Sequence, residues 1–192
     1  MGQNEVRLRM SYFIEVDGLE DLENQEKWEE ARSLLDHEWK EDKLNSDKLL
    51  RLLSECWYVL SLWDCCINTE KLSYQAFQDT LIECMDFGLS NFGNAPRFLC
   101  VAGCMASILP YLFYKGGSDD LFVEWEQKGI EMLRKSSVLD PNDLLAKTLY
   151  LGTSAHSSEY AEAKKRLSSQ LSRLFPNETA IEMYFKDTSG DH

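Results

Sequence analysis

The stretch SDKLLRLLSECWYVLSLWDCCI, residues 46–67, decides how the chain folds. Its polar positions fall almost on one line at helical spacing: Arg51, Ser54, Glu55, Ser61 and Asp64. The other positions are mostly apolar, and a helix with so narrow a polar stripe must be covered on most of its circumference. Ser46 and Asp47 are cap candidates, because their side-chain oxygens accept hydrogen bonds from free backbone N–H groups. The segment therefore predicts a central helix that neighbouring helices enclose.

Helical spacing of apolar residues predicts seven further helices, and the fold class is therefore all-α. They lie near residues 21–40, 70–91, 96–115, 119–137, 142–152, 158–174 and 178–186, with a kink expected at Pro110 in the fourth helix of the chain. Residues 6–16 alternate between apolar and polar side chains, which is typical of a strand, but no second strand follows. This segment is therefore either a short strand that pairs with another chain, or an extra helix or irregular segment.

The length and composition of the chain indicate how many domains it forms. Its 192 residues, 44% hydrophobic and 28% charged, are typical of one globular domain with an ample core. We expect a single helical domain over 1–192, with an N-terminal segment at 1–18 and a frayed tail at 187–192. The uncharged run at 98–114 is short for a membrane span, and we expect it to be a buried helix.

The charge of the chain is strongly negative and unevenly distributed. The net charge is −13, and residues 15–42 alone contain twelve acidic and three basic residues, a local charge of −9. Such a field repels nucleic acid and anionic membranes and favours a basic protein partner. One interpretation is an ordinary solvated helix face, and the other is a docking surface for a cationic partner.

The docking hypothesis places the partner-binding residues on the predicted helix 21–40 and the turn after it. In that helix Trp28, Ala31, Leu35 and Trp39 form an apolar stripe, and the acids are expected to face outward. Trp39 would serve as an aromatic anchor among carboxylates. The predicted partner-binding residues are Glu23, Glu26, Glu29, Glu30, Asp36, Glu38, Trp39, Glu41 and Asp42.

The six cysteines and three histidines do not form a metal motif or a catalytic motif. Each cysteine lies in an apolar helical pattern, none forms a C-x-x-C pair, and no apolar leader opens the chain. We therefore expect reduced, buried thiols in a cytoplasmic protein, without metal or cofactor. His37 lies on a solvated face and His156 in a polar linker, so neither is placed with a nucleophile and an orienting group. The residues are Cys56, Cys65, Cys66, Cys84, Cys100, Cys104, His37, His156 and His192.

Two copies of one short motif lie 35 residues apart. Residues 137–143 and 172–178 share the form S-x-L-x-P-N-[DE], which marks the end of one helix and a Pro-assisted start of the next. This pattern resembles the tetratricopeptide (TPR) repeat, although Lys164 and Leu171 stand where that family has small residues. The resemblance implies stacked antiparallel helical hairpins that bind a protein or peptide.

In size, acidity and helical make-up the chain also resembles the small immunity proteins that bacteria encode beside contact-dependent or secreted toxins. Many of those toxins are cationic nucleases, so the resemblance implies a non-catalytic protein that occludes the active site of a basic cognate toxin domain. The alternative is a TPR-like adaptor or secretion chaperone that holds an extended peptide. The first class predicts binding that depends on charge, whereas the second predicts binding that depends on a groove.

Overall fold

The computed structural model describes residues 11–64, 68–154 and 158–189, and within these ranges it contains helices and no strand. Eight of the helices span nine residues or more, which confirms the predicted all-α fold of about seven to eight helices. The α-helices are α1 Leu19–Asn24, α2 Trp28–Glu41, α3 Ser46–Ser61, α4 Tyr74–Phe92, α5 Pro96–Ile108, α6 Asp119–Leu139, α7 Leu144–Gly152, α8 Ser158–Ser168, α9 Leu171–Leu174 and α10 Ala180–Ser189.

Helix α3 is enclosed, as its sequence predicts. It packs against α2, α4, α5 and α10, and Trp57 is only 1% exposed, with its ring edge-on to Tyr184 at a centroid distance of 5.1 Å. Its cap differs from the prediction, because Asn45 rather than Ser46 or Asp47 accepts hydrogen bonds from the first free N–H groups. Part of the polar stripe is buried as well: Arg51, Ser54 and Glu55 have no exposed surface, whereas Asp64 at its end is exposed.

The acidic segment predicted as one helix over 21–40 forms two helices. Glu26 has a φ of 54°, in the left-handed region that an α-helix excludes, so α1 ends before it and α2 begins after it. The backbone N–H of Lys27 reaches back to the carbonyl of Leu22 at 2.9 Å and closes the turn. The acids of this segment are therefore carried on two helices rather than one.

The predicted helix 96–115 ends at Ile108, and a short 3-10 helix, Pro110–Phe113, follows it. A proline has no N–H for the helical ladder and disfavours the helical conformation of the residue before it, and Leu109 accordingly has φ −130° and ψ 68°. Pro110 therefore stops the helix rather than kinking it. The predicted helix 158–174 is likewise divided, into α8 and the one-turn α9.

Helices α5 and α6 pack unusually closely, through two glycines. A Cβ atom at Gly129 would lie 2.5 Å from the backbone nitrogen of Ser107 and 2.8 Å from the carbonyl oxygen of Gly103. The Ser136 hydroxyl donates to the carbonyl of Pro96 at 2.7 Å, near the other end of the pair. These contacts show that α5 and α6 run antiparallel with their backbones in contact.

A buried ionic cluster joins α1, α3 and α10, and we call it the Arg51 cluster. The Arg51 guanidinium donates to Glu23 from α1 and, through Nη1, to Glu55 Oε2 at 2.9 Å. The second oxygen of Glu23 accepts the backbone N–H of Ala180, the first residue of α10, at 2.7 Å. The prediction that Glu23 faces outward is therefore wrong, because a buried guanidinium requires a carboxylate beside it.

Near the N-terminus the described residues 11–16 agree with the irregular alternative, and near the C-terminus the last helix is longer than expected. Residues 11–16 form neither strand nor helix; Tyr12 donates its N–H to the carbonyl of Leu174 at 2.8 Å, and Phe13 packs on Phe185. The tail predicted from 187 is still helical through Ser189. Predictions on residues 1–10, Cys65, Cys66, His156 and His192 fall outside the described residues.

We expect the Glu55→Gln variant to change how stability depends on pH. Burial raises the pKa of Glu55 from 4.5 to about 8. The folded protein therefore binds a proton that the unfolded chain releases, so Glu55 weakens the wild type progressively between pH 4.5 and about pH 8. Urea unfolding from pH 5 to pH 8 should show the stability of the variant rising relative to that of the wild type. A difference between the two proteins that stays constant with pH would contradict this.

The close contact of α5 and α6 predicts that a single methyl group at Gly129 is harmful. Alanine has the higher helix propensity, by about 1 kcal/mol, but its Cβ would overlap backbone atoms of α5. Such overpacking typically costs about 1–3 kcal/mol, so Gly129→Ala should lower the free energy of unfolding. Gly117→Ala is the matched control, because a Cβ there meets no atom within 4 Å. Equal denaturation midpoints for the two variants would refute the close contact.

Candidate functional site

The predicted partner-binding face lies on α2, and its outward direction follows from the side that α2 buries. Ala31 and Leu35 are at most 1% exposed and face the core with Trp28 and Trp39. Because these positions recur at three or four residues, the opposite side of α2 must face solvent. Glu30 and Glu41 lie on that side and are exposed.

Trp39 does not offer a surface anchor. Its side chain is 0% exposed, its ring meets Phe87 edge-on at a centroid distance of 5.3 Å, and the Lys43 ammonium lies 4.7 Å from the ring centroid. The prediction that Trp39 contacts a partner is corrected, because the stripe that it shares with Leu35 is the core-facing one. Glu23 is removed from the site for a similar reason, since it belongs to the Arg51 cluster.

Three of the predicted carboxylates lie at the surface but are already paired with bases. Glu29 accepts from Arg32, Asp36 from Lys40 at 2.6 Å, and Glu38 from Lys48 at 2.7 Å. The Lys48 hydrogen bond lowers the pKa of Glu38, which keeps that carboxylate ionised. These pairs neutralise part of the local charge and reduce what the three acids offer to a partner.

The remaining predicted carboxylates are exposed. The side-chain carboxylates of Glu26, Glu30 and Glu41 make no hydrogen bond or ion pair to any residue within 11–64, 68–154 or 158–189. Asp42 is also exposed and accepts a hydrogen bond from the Asn45 amide at 3.3 Å. Glu30 and Glu41 are eleven residues apart, three helical turns, so they lie on one line along α2. The carboxylates of Glu30 and Glu41 therefore face solvent without a basic side chain to neutralise them.

The structure adds four acids that the predicted site did not include. Glu15, Asp17, Glu20 and Asp21 are exposed and line a cleft of about 360 Å³ beside Asn177 and Thr179. The charge count over 15–42 included these acids, but the predicted site began at Glu23, so the three acids before the predicted helix and Asp21 at its first position were left out. We define the acidic surface as Glu15, Asp17, Glu20, Asp21, Glu26, Glu30 and Glu41.

The described cysteines are buried, as the sequence predicts, and their environment disfavours nucleophilic chemistry. Burial raises the pKa of Cys56, Cys84 and Cys100, and raises that of Cys104 to about 12, so all four thiols stay protonated near neutral pH. Among the described residues no group of three or more His, Cys, Asp or Glu side chains is placed to hold a metal ion.

Most of the uncharged run at 98–114 is covered by protein, although Ile108 and Tyr111 are exposed. It forms most of α5 and the 3-10 helix, and Phe98, Val101 and Phe113 are at most 2% exposed. Within the described ranges, no helix combines the length and hydrophobicity that a bilayer crossing requires.

Comparison of the sequence with protein-family models, with curated proteins and with solved structures finds no significant match.

Proposed function

We propose that this chain is a non-catalytic, cytoplasmic protein-binding module that neutralises a basic toxin domain, such as a cationic nuclease. The observation that carries the proposal is the exposure of seven carboxylates on the acidic surface, all from one short stretch of chain. The carboxylates of Glu26, Glu30 and Glu41 form no ion pair with a basic side chain among the described residues. A surface whose like charges are left uncompensated is suited to a partner that brings the opposite charge.

The proposed mechanism is occlusion of the toxin's active site. A nuclease holds its substrate through Lys and Arg side chains that face phosphates, and a row of carboxylates engages the same side chains. Helix α2 is fixed to the core by Trp28 and Trp39, so its outer carboxylates are held in place before the partner arrives. Preorganisation of this kind lowers the entropic cost of association, and the negative field accelerates encounter.

Local structure supports the resemblance to helical hairpin repeats in part. In the first copy of the S-x-L-x-P-N-[DE] motif, Asp143 caps α7 by accepting from Leu145 N–H at 2.9 Å and from Ala146 N–H at 3.1 Å. The second copy begins α10 differently, because Glu23 from α1 accepts the Ala180 N–H. The last hairpin is therefore tied to the start of the chain.

Charge reversal on the acidic surface tests the proposal directly. The proposal predicts that a neighbouring reading frame encodes a toxin-like domain, and that domain is the partner to use. We expect the triple variant Glu26→Lys, Glu30→Lys, Glu41→Lys to bind it roughly 100-fold more weakly, at about 1 kcal/mol for each reversed contact. Isothermal titration calorimetry in about 0.05 M and about 0.5 M NaCl should also show wild-type affinity falling with salt. Cells that produce the domain should be protected by the wild type and not by this triple variant.

The matched control is the triple variant Glu124→Lys, Glu159→Lys, Glu162→Lys, which makes the same change in net charge at exposed positions on α6 and α8. It should bind within about threefold of wild type. Equal losses in the two triple variants would show that net charge, and not the acidic surface, drives binding. Tight, salt-insensitive binding by both would contradict the proposal and favour the adaptor or secretion-chaperone class.

A further inference from the structure

A cavity of about 340 Å³ lies on another part of the molecule, between α5, α6, α7, α8 and α10. Its floor is formed by Cys104, Leu133 and Thr148, which are at most 4% exposed. Ile130 and Leu149 form its walls. It is a cleft open to solvent between these helices, and, unlike the cleft beside Asn177 and Thr179, it exposes more apolar than polar surface.

The interior of the cavity presents mainly apolar surface. The two hydroxyls that line it nearest the floor are already bonded to their own helices: Thr148 donates to the carbonyl of Leu144 at 2.7 Å, and Ser107 to that of Cys104 at 2.9 Å. Burial keeps the Cys104 thiol protonated by raising its pKa to about 12. An occupant therefore meets mainly methyl and methylene groups, and an apolar body fits best.

The rim of the cavity carries a carboxylate without a base. Glu126 is partly buried and lies on the same face of α6 as Ile130 and Leu133. Its side-chain carboxylate makes no hydrogen bond or ion pair to any residue in the described part of the chain. Lys164 also lines the rim, but it is already engaged in an interaction. A partly buried carboxylate beside apolar walls favours a cationic group over an anionic one.

We propose that this cavity binds a small organic amine, with its apolar body against Leu133, Ile130 and Leu149 and its ammonium group at Glu126. A cavity of 150 Å³ holds benzene, so one of about 340 Å³ holds an apolar amine of roughly twelve non-hydrogen atoms. The site is separate from the acidic surface, and the proposal does not depend on the proposed function.

The test uses three probes of nearly equal size that differ in charge: 4-phenylbutylamine, 4-phenylbutanol and 4-phenylbutyrate. Binding is followed by the methyl NMR signals of Ile108, Ile130, Leu133 and Leu149, which report on the cavity alone. We expect the amine to shift these signals and to bind about tenfold more tightly than the alcohol, with the carboxylate weakest. Glu126→Gln should reduce the preference for the amine over the alcohol to less than about threefold.

Glu124→Gln is the matched control, because Glu124 lies on α6 with the same charge but is exposed and does not line the cavity. It should keep the tenfold preference. Leu149→Trp should fill the cavity and remove the binding of all three probes. Equal binding of amine and carboxylate, a preference that survives Glu126→Gln, or absence of shifts at the four residues would overturn the proposal. The Glu126 side chain makes no hydrogen bond or ion pair within the described residues, so its variant is expected to fold and decides the question even if Leu149→Trp unfolds.

Discussion

The fold depends on one constraint, the burial of the Arg51 guanidinium in the centre of the molecule. A guanidinium stays charged at every physiological pH, so its transfer out of water must be offset by hydrogen-bond acceptors, at least one of them a carboxylate. Glu23 supplies the carboxylate from α1. Glu55, whose pKa burial raises to about 8, supplies a further acceptor from the next turn of α3. Glu23 also accepts the first N–H of α10. Parts of the chain 157 residues apart are thereby fixed to the same helix.

This constraint organises the surface as well as the core. Glu23 points inward, and its ion pair with Arg51 ties α1 to α3. The exposed residues Glu20 and Asp21 on α1 are therefore held in a fixed position. Helix α2 is held separately, by Trp28 and Trp39, and presents Glu30 and Glu41. The acidic surface is therefore a rigid part of the molecule. The α5–α6 pair, through its glycine contact, builds one side of the cavity and leaves Glu126 at its rim.

The spacing of apolar residues in the sequence is enough to predict the all-α fold class, because α3, α4 and α6 have long, regular apolar patterns. The same spacing does not predict the position of a polar residue whose hydrogen-bond partner is buried. Arg51 and Glu55 are four residues apart and could be paired from the sequence, but nothing local indicates that Glu23 joins them. The break at Glu26 had no glycine or proline to mark it. The cavity arises from the packing of five helices, which no single segment encodes, so the sequence could not predict it.

Native-state hydrogen exchange on the Glu23→Ala variant tests the role of the Arg51 cluster most directly. Removal of one partner from a buried ion pair typically costs about 3–5 kcal/mol, and this removal also uncaps α10. The account predicts that amides of α10 exchange at least about tenfold faster than in the wild type, ahead of those of α4. Glu20→Ala, an exposed position on the same helix, should leave them unchanged. Unchanged protection of α10 in Glu23→Ala would contradict the account.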